Sequence, residues 1–387
     1  MNNRLLNYIP NVQYLSVRLH TDLQNFSKDS SIISSHSINS NIRSLEISTI
    51  NNIPFNQIED LFKKTFKHLE ILKFFFKTDA LSQSCLDYID DKRWEHLLQR
   101  FLSLKDFHCC IEIPIQSQII SNSFEQNQFF RNHHWKFSFQ AYSYSFNTML
   151  RIHTDPYPKR RLDIIPSKVF ADSNNNNNNI YSCVRDLRIL IDSIDVSTVN
   201  NLSRIIYKNV ISLTLISNKI FDEQTFFIYL YSIINRNNIR YLTIQLDNCS
   251  KKFLLNLIEN FSKLHSLTIS TYQSWSKLIQ LSSYISKSNI RSLSVYELFV
   301  NFHHYDYIYE LFNQLNIISI NVTSIEDCYR LLTLLFIGNK KKQIEKLRSL
   351  TVKCDFHEPD AIANWIRSNI IRKLSYKCTT STLIIWL

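Results

Sequence analysis

Adjacent histidines at His133–His134 and His303–His304 carry the side chains that ligate zinc or shuttle protons. Neighbours on a strand point to opposite faces, and on a helix they diverge by about 100°, so neither pair closes on one ion. The HExxH spacing, which puts two imidazoles on one helix face, does not occur. Asp87, Asp90 and Asp91 offer three carboxylates, but they precede the amphipathic Trp94, Leu97, Leu98 and Phe101. Carboxylates there cap a helix and complement its dipole. His108, Cys109 and Cys110 set a base beside two nucleophiles, yet strand alternation sends Cys109 inward and His108 outward. The 8 cysteines contain no CxxC pair, which removes zinc-ribbon and redox-motif readings. Gly338 is the only glycine, so no loop can bring several backbone amides close to a phosphate. Turns that need positive φ are expected to fall to asparagine. The sequence assigns no catalytic residue, no metal ligand and no cofactor, and it reads as a non-enzyme.

What remains is the chemistry of binding. Lys73, Phe75, His108, Arg188, Tyr241, Tyr296, Lys353 and Lys373 offer charged, imidazole and aromatic groups, the kinds that anchor protein partners. Each stands at the third or fifth place of one recurring hexad, or just past it: aliphatic, two variable, aliphatic, one variable, aliphatic. Clear copies are NIRSLEIS at 41–48, VRDLRI at 184–189, VISLTL at 210–215, NIRYLTI at 238–244, KLHSLTIS at 263–270, NIRSLSV at 289–295 and KLRSLTVK at 346–353. Weaker copies lie at 12–17, 69–74, 104–109, 315–320 and 371–376. The fourth-place residues Leu187, Leu213, Leu242, Leu267, Leu293, Ile318, Leu350 and Leu374 are 24 to 32 residues apart.

Such a hexad is a short strand with its first, fourth and sixth side chains inward and its third and fifth outward. Between copies, apolar residues at 226–234, 253–261 and 325–336 follow a helical stripe. Ser197, Asp222, Ser250, Ser324 and Asp360 stand where N-caps are expected. One strand–helix unit buries too little to order itself, so neighbours must stack. The expected fold is α/β, a leucine-rich repeat solenoid of about 11–13 irregular repeats with parallel concave strands and convex helices. Arginine holds the second place in Arg43, Arg185, Arg240, Arg291, Arg348 and Arg372. These bond loop carbonyls or acids, or they form a basic rim.

The clean pattern lapses between Phe107 and Leu187. Residues 117–131 read as one helix, and Trp135, Phe137 and Phe139 alternate with Lys136, Ser138 and Gln140 as a strand. Residues 149–153 can pair back as a hairpin, followed by a loop ending in the asparagine run 174–179. The organisation is therefore N-terminal repeats over 1–113 with an uncapped start, an irregular excursion over 114–180, and C-terminal repeats over 181–387.

The repeats over 184–376 resemble the leucine-rich repeat family, in its ribonuclease-inhibitor-like class. The stretches YIDDKRWEHLLQRFLSLKDFHCCI (88–111) and NQFFRNHHWKFSFQAYSY (127–144) resemble the repeat region of F-box/leucine-rich repeat proteins. That resemblance implies substrate recognition within an F-box-type ubiquitin ligase. Binding of a Skp1-type adaptor would require an upstream F-box, whose Leu-Pro start signal does not occur in the chain. The leading expectation is a non-catalytic scaffold taking a protein partner on its concave face. Net charge is +11 and the pI about 9.1, so the second reading is a nucleic-acid or other polyanion binder using the basic rim. No secretory leader or membrane-length apolar run is read, which points to the cytoplasm or nucleus.

Overall fold

The hexad becomes a strand because its outward and inward places differ in kind. Leu242 and Ile244 are buried while Tyr241 and Thr243 between them are not, and the same alternation repeats at Leu267 and Ile269 and at Leu293 and Val295. The computed structural model describes residues 12–20, 41–50, 53–66, 68–78, 83–115, 123–144, 147–164, 180–191, 206–279, 289–296, 315–322, 324–336, 347–354, 359–370 and 375–386. The chain divides into two compact units, residues 1–160 with 168–183 and residues 161–167 with 184–387. Both are α/β with a mostly parallel sheet, and neither sheet closes into a barrel.

The first unit holds strands β1 (Tyr14–His20), β2 (Ser44–Ile50), β3 (Ile71–Lys77), β4 (Asp106–Ile115), β5 (Phe137–Tyr144) and β6 (Asn147–Thr154). Their order is β1-β2-β3-β4-β6-β5, parallel through β4 and antiparallel at the β5–β6 hairpin. One sheet face packs Leu72, Phe74, Phe107, Ile111, Phe139 and Ile152 into a core with Phe55, Ile58 and Phe62 of helix Phe55–Thr65 and Trp94 and Leu97 of helix Asp91–Leu98. Asp90 caps the second helix by accepting from the amides of Lys92 and Arg93, while Asp87 pairs with Arg93 at 2.8 Å.

The expected helix over 117–131 is not one element. Residues 116–122 lie outside the described set, and beyond them stand the short helices Ser123–Gln126 and Gln128–Asn132. Asn127 breaks them by turning its side chain to the amide of Phe129, a local bond that competes with helix continuation.

The second unit holds β7 (Arg161–Ile164), β8 (Asp186–Leu190), β9 (Ser212–Ser217), β10 (Tyr241–Leu246), β11 (Ser266–Ile269), β12 (Ser292–Val295), β13 (Ile317–Asn321), β14 (Ser349–Lys353), β15 (Ser375–Cys378) and β16 (Thr382–Trp386). From β7 to β14 all pairs are parallel, and Leu187, Leu213, Leu242, Leu267, Leu293, Ile318 and Leu350 share one register. Backbone bonds at the strand entries set that register. The Arg240 carbonyl accepts from the amides of His265 and Ser266, and the Arg291 carbonyl from those of Asn316 and Ile317. Asp222, Ser250 and Ser324 cap their helices as expected. Asp360 lies inside its helix, which Pro359 opens; Ser197 is outside the described residues.

The last repeat departs from expectation. Leu374 lies outside the described residues, and the register place beside Leu350 is held by Ile385, because β16 pairs antiparallel with β14 and, among the described residues, β15 pairs only with β16. Thr379 closes that hairpin with bonds to the amide and carbonyl of Thr382, and alternation then buries Leu383 and Ile385.

Candidate functional site

The predicted site residues fall in both units. In the first, Lys73 is in register with His108, and Phe75 with Cys110. His108 is half-buried, and burial together with Lys73 holds its pKa below the ordinary histidine value. Phe75 lies under the amine of Lys159, 5.3 Å from its ring centre. In the second, Arg188 is 3.8 Å from Asp163, Tyr241 is exposed on β10, and Tyr296 lies under the amine of Lys353 at 5.2 Å. Lys373 lies outside the described residues, as does the run 174–179.

The outward face of β4, β6 and β5 is covered, which sequence reasoning missed. Ser138 and Gln140 alternate with the aromatic residues of the strand, as read from the sequence, yet both are 1% exposed. Strand register sets Glu112 opposite Arg151, and Arg151 opposite Gln140. Arg151 Nε holds Glu112 Oε1 at 3.1 Å, and its Nη1 donates to Gln140 Oε1 at 2.9 Å. Lys77 and Lys159 approach the same carboxylate at 3.8 and 3.9 Å. Cys110 stands opposite His153, and His153 opposite Ser138, whose hydroxyl donates to both oxygens of Asp155. Tyr157 roofs the group, its amide bonded to the carbonyl of Ile180 and its ring 5.0 Å from that of His153.

Burial pushes the His153 pKa down to about 3. The neutral ring places its proton on Nδ1, 3.1 Å from the Thr154 carbonyl, and Nε2 is buried without a hydrogen-bond partner. Burial likewise raises the Cys110 thiol. Both shifts run opposite to an activated thiolate–imidazolium pair. The cluster is arranged to hold strands in register, with the Glu112 carboxylate offset by Arg151, Lys77 and Lys159. A signal for it was present: Glu112 in CCIEIPI and Arg151 in MLRIH are lone charges in apolar strands, the pattern of a cross-strand pair.

The second sheet carries a different outward surface. One register row runs Asp186, Ser212, Tyr241, Ser266, Ser292, Ile317, Ser349 and Trp386 across β8 to β16. Its large members are open: Tyr241 is 47% exposed, Ile317 43% and Trp386 45%. The next outward row is Thr214, Thr243, Thr268, Ser294, Ser319 and Thr351. Apolar groups therefore rise from a floor of small hydroxyls. Among the described residues no group of three or more His, Cys, Asp or Glu could hold a metal ion, and no helix is long and apolar enough to cross a membrane.

No family model matches the chain, and no curated protein matches it.

Proposed function

We propose that the chain is a non-catalytic interaction module of the leucine-rich repeat kind, a solenoid that captures a protein partner on the outward face of its second sheet. The observation that carries this reading is the row Tyr241, Ile317 and Trp386. At ~4.8 Å per strand these groups stand about 14 and 10 Å apart. Aromatic side chains of this kind supply contact area at low entropy cost and dominate binding energy, whereas the serines and threonines between them contribute little. Tyr296, steadied by Lys353, extends the same face.

Within that class, the resemblance to F-box/leucine-rich repeat proteins supports a substrate-recognition role in a ubiquitin ligase. On this reading residues 1–387 retain the substrate and do not bind a Skp1-type adaptor by themselves. The test is surface plasmon resonance of the recombinant chain against such an adaptor. Saturable direct binding would contradict the assignment of adaptor docking to a separate F-box.

A second reading rests on the rim arginines. Arg43 pairs with Glu70 at 3.1 Å and Arg185 donates to the Asn209 carbonyl at 3.2 Å, but Arg240, Arg291 and Arg348 are exposed on alternate repeats. A polyanion bound there would lose affinity linearly in log salt. Absence of binding to single- or double-stranded nucleic acid at low salt removes this reading.

A further inference from the structure

Several opposite charges in the first unit pair with one another. Arg43 and Lys105 both reach Glu70, Arg93 reaches Glu59 and Asp87, and Lys92 reaches Glu95. In one recess four charged side chains stand close without pairing. The recess has a volume of about 340 Å³, within the roughly 300–1,000 Å³ of small-molecule sites. Arg131, Lys136, Glu125 and Asp155 line it, and among the described residues these four form no ion pair with one another.

The recess is built by a helix stop. Helix Gln128–Asn132 ends with the amide of His134 donating to the Arg131 carbonyl and that of Trp135 to the Phe130 carbonyl, both at 3.0 Å. His134 takes φ +60°, the place glycine usually fills in this motif. It is the only positive-φ residue among those described, so here the role expected of asparagine falls to histidine. The reversal brings Trp135 and Lys136 to the recess that Arg131 also lines. Arg131 Nε is spent on the Glu125 carbonyl at 2.6 Å, leaving its Nη groups. Phe137, buried, and Trp135, half-buried, give the recess an apolar side.

We infer that this recess binds a zwitterionic small molecule of the free amino-acid class with a large apolar side chain. Its ammonium would lie toward Glu125 and Asp155, its carboxylate toward Arg131 and Lys136, and its side chain on Trp135 and Phe137. Two cations and two carboxylates leave no net charge, so a simple anion or cation gains attraction from one pair and repulsion from the other. A ligand carrying both charges gains from both. Burial raises the Asp155 pKa and the Ser138 hydroxyl bonded to its oxygens lowers it. After these, Lys136 and Glu125 act in opposite directions, which agrees with their closeness.

The test is a proton–nitrogen NMR titration of the full chain, following the Trp135 indole, with phenylalanine, N-acetylphenylalanine and phenylalaninamide. Phenylalanine should give a saturable shift. Blocking either terminus should weaken binding about tenfold or more, the scale of one charge-assisted contact. Arg131→Gln and Glu125→Gln should do the same, while Lys136→Arg retains binding. No saturable shift with phenylalanine, or equal binding by the blocked forms, would overturn the inference. Because that comparison is made on the unaltered chain, it decides the matter even if a variant fails to fold.

Discussion

On β4, β6 and β5 the side chains that alternate away from the helices include Cys110, Glu112, Arg151, His153, Ser138 and Gln140, and all are buried. On β9 to β13 the residues in the same alternation are Ser212, Thr214, Tyr241, Thr243, Ser266, Thr268, Ser292, Ser294, Ile317 and Ser319, and none is. Both surfaces follow the period of two. They differ in what covers them, the segment around Tyr157 in the first case and nothing among the described residues in the second. Covered, the first sheet can carry charges only in satisfied pairs. Uncovered, the second can carry apolar groups that would otherwise be core. Outward position in a strand thus says little about function until its cover is known.

The comparison can be broken most strongly at the buried pair. Arg151→Ala should leave Glu112 buried beside a lost partner and cost about 3–5 kcal/mol, measured by urea unfolding. The double change Arg151→Met/Glu112→Leu should recover most of that loss, because it removes both charges. A matching outward change on the other sheet, Thr243→Ala, should stay within about 0.5 kcal/mol. Equal costs at Arg151 and Thr243 would erase the distinction.

A pH series sharpens it. His153 is held neutral, with its pKa lowered by burial to about 3. Between its unfolded value of about 6.5 and that folded value, the unfolded chain binds a proton that the folded chain does not. Stability of the first unit should therefore be fully present above about pH 6.5 and fall as pH drops, by up to about 1.4 kcal/mol per unit. His153→Gln should flatten that slope in urea midpoints measured from pH 7 to 4.5. An unchanged slope would place the ring's titration elsewhere.

The smallest expected effect is at the helix stop. His134→Gly relieves a side chain in the left-handed region and should stabilise by about 1 kcal/mol, read as a raised unfolding midpoint. Destabilisation would mean that the imidazole makes contacts outweighing its backbone cost.

Much of the framework was legible because it depends on local pattern. The hexads gave the strands from β8 to β14 and their register, and the caps Asp90, Asp222 and Ser250 lay where short acceptors precede apolar stripes. The β5–β6 hairpin was legible from alternation alone. The roof was not, since Tyr157 and Lys159 sit in a stretch with no periodicity. Nor was the closing hairpin, where β16 displaced the parallel repeat expected at Leu374. Of the exposed row and its flank, Tyr241 and Tyr296 are legible from the pattern, while Ile317 is an aliphatic at a place where hydroxyls predominate and Trp386 lies past the last hexad. Their alignment with Tyr241 emerges only from register across β10 to β16.

The open row itself offers the most direct test. Changing Tyr241, Ile317 and Trp386 to serine copies the residues already between them, so the fold should hold, with an unchanged circular dichroism spectrum and melting curve. Quantitative affinity capture from cell extract should then lose the proteins that the unaltered chain retains, while the roofed-face control Gln140→Leu keeps them. Undiminished capture by the folded triple variant would contradict the claim that this face binds the partner.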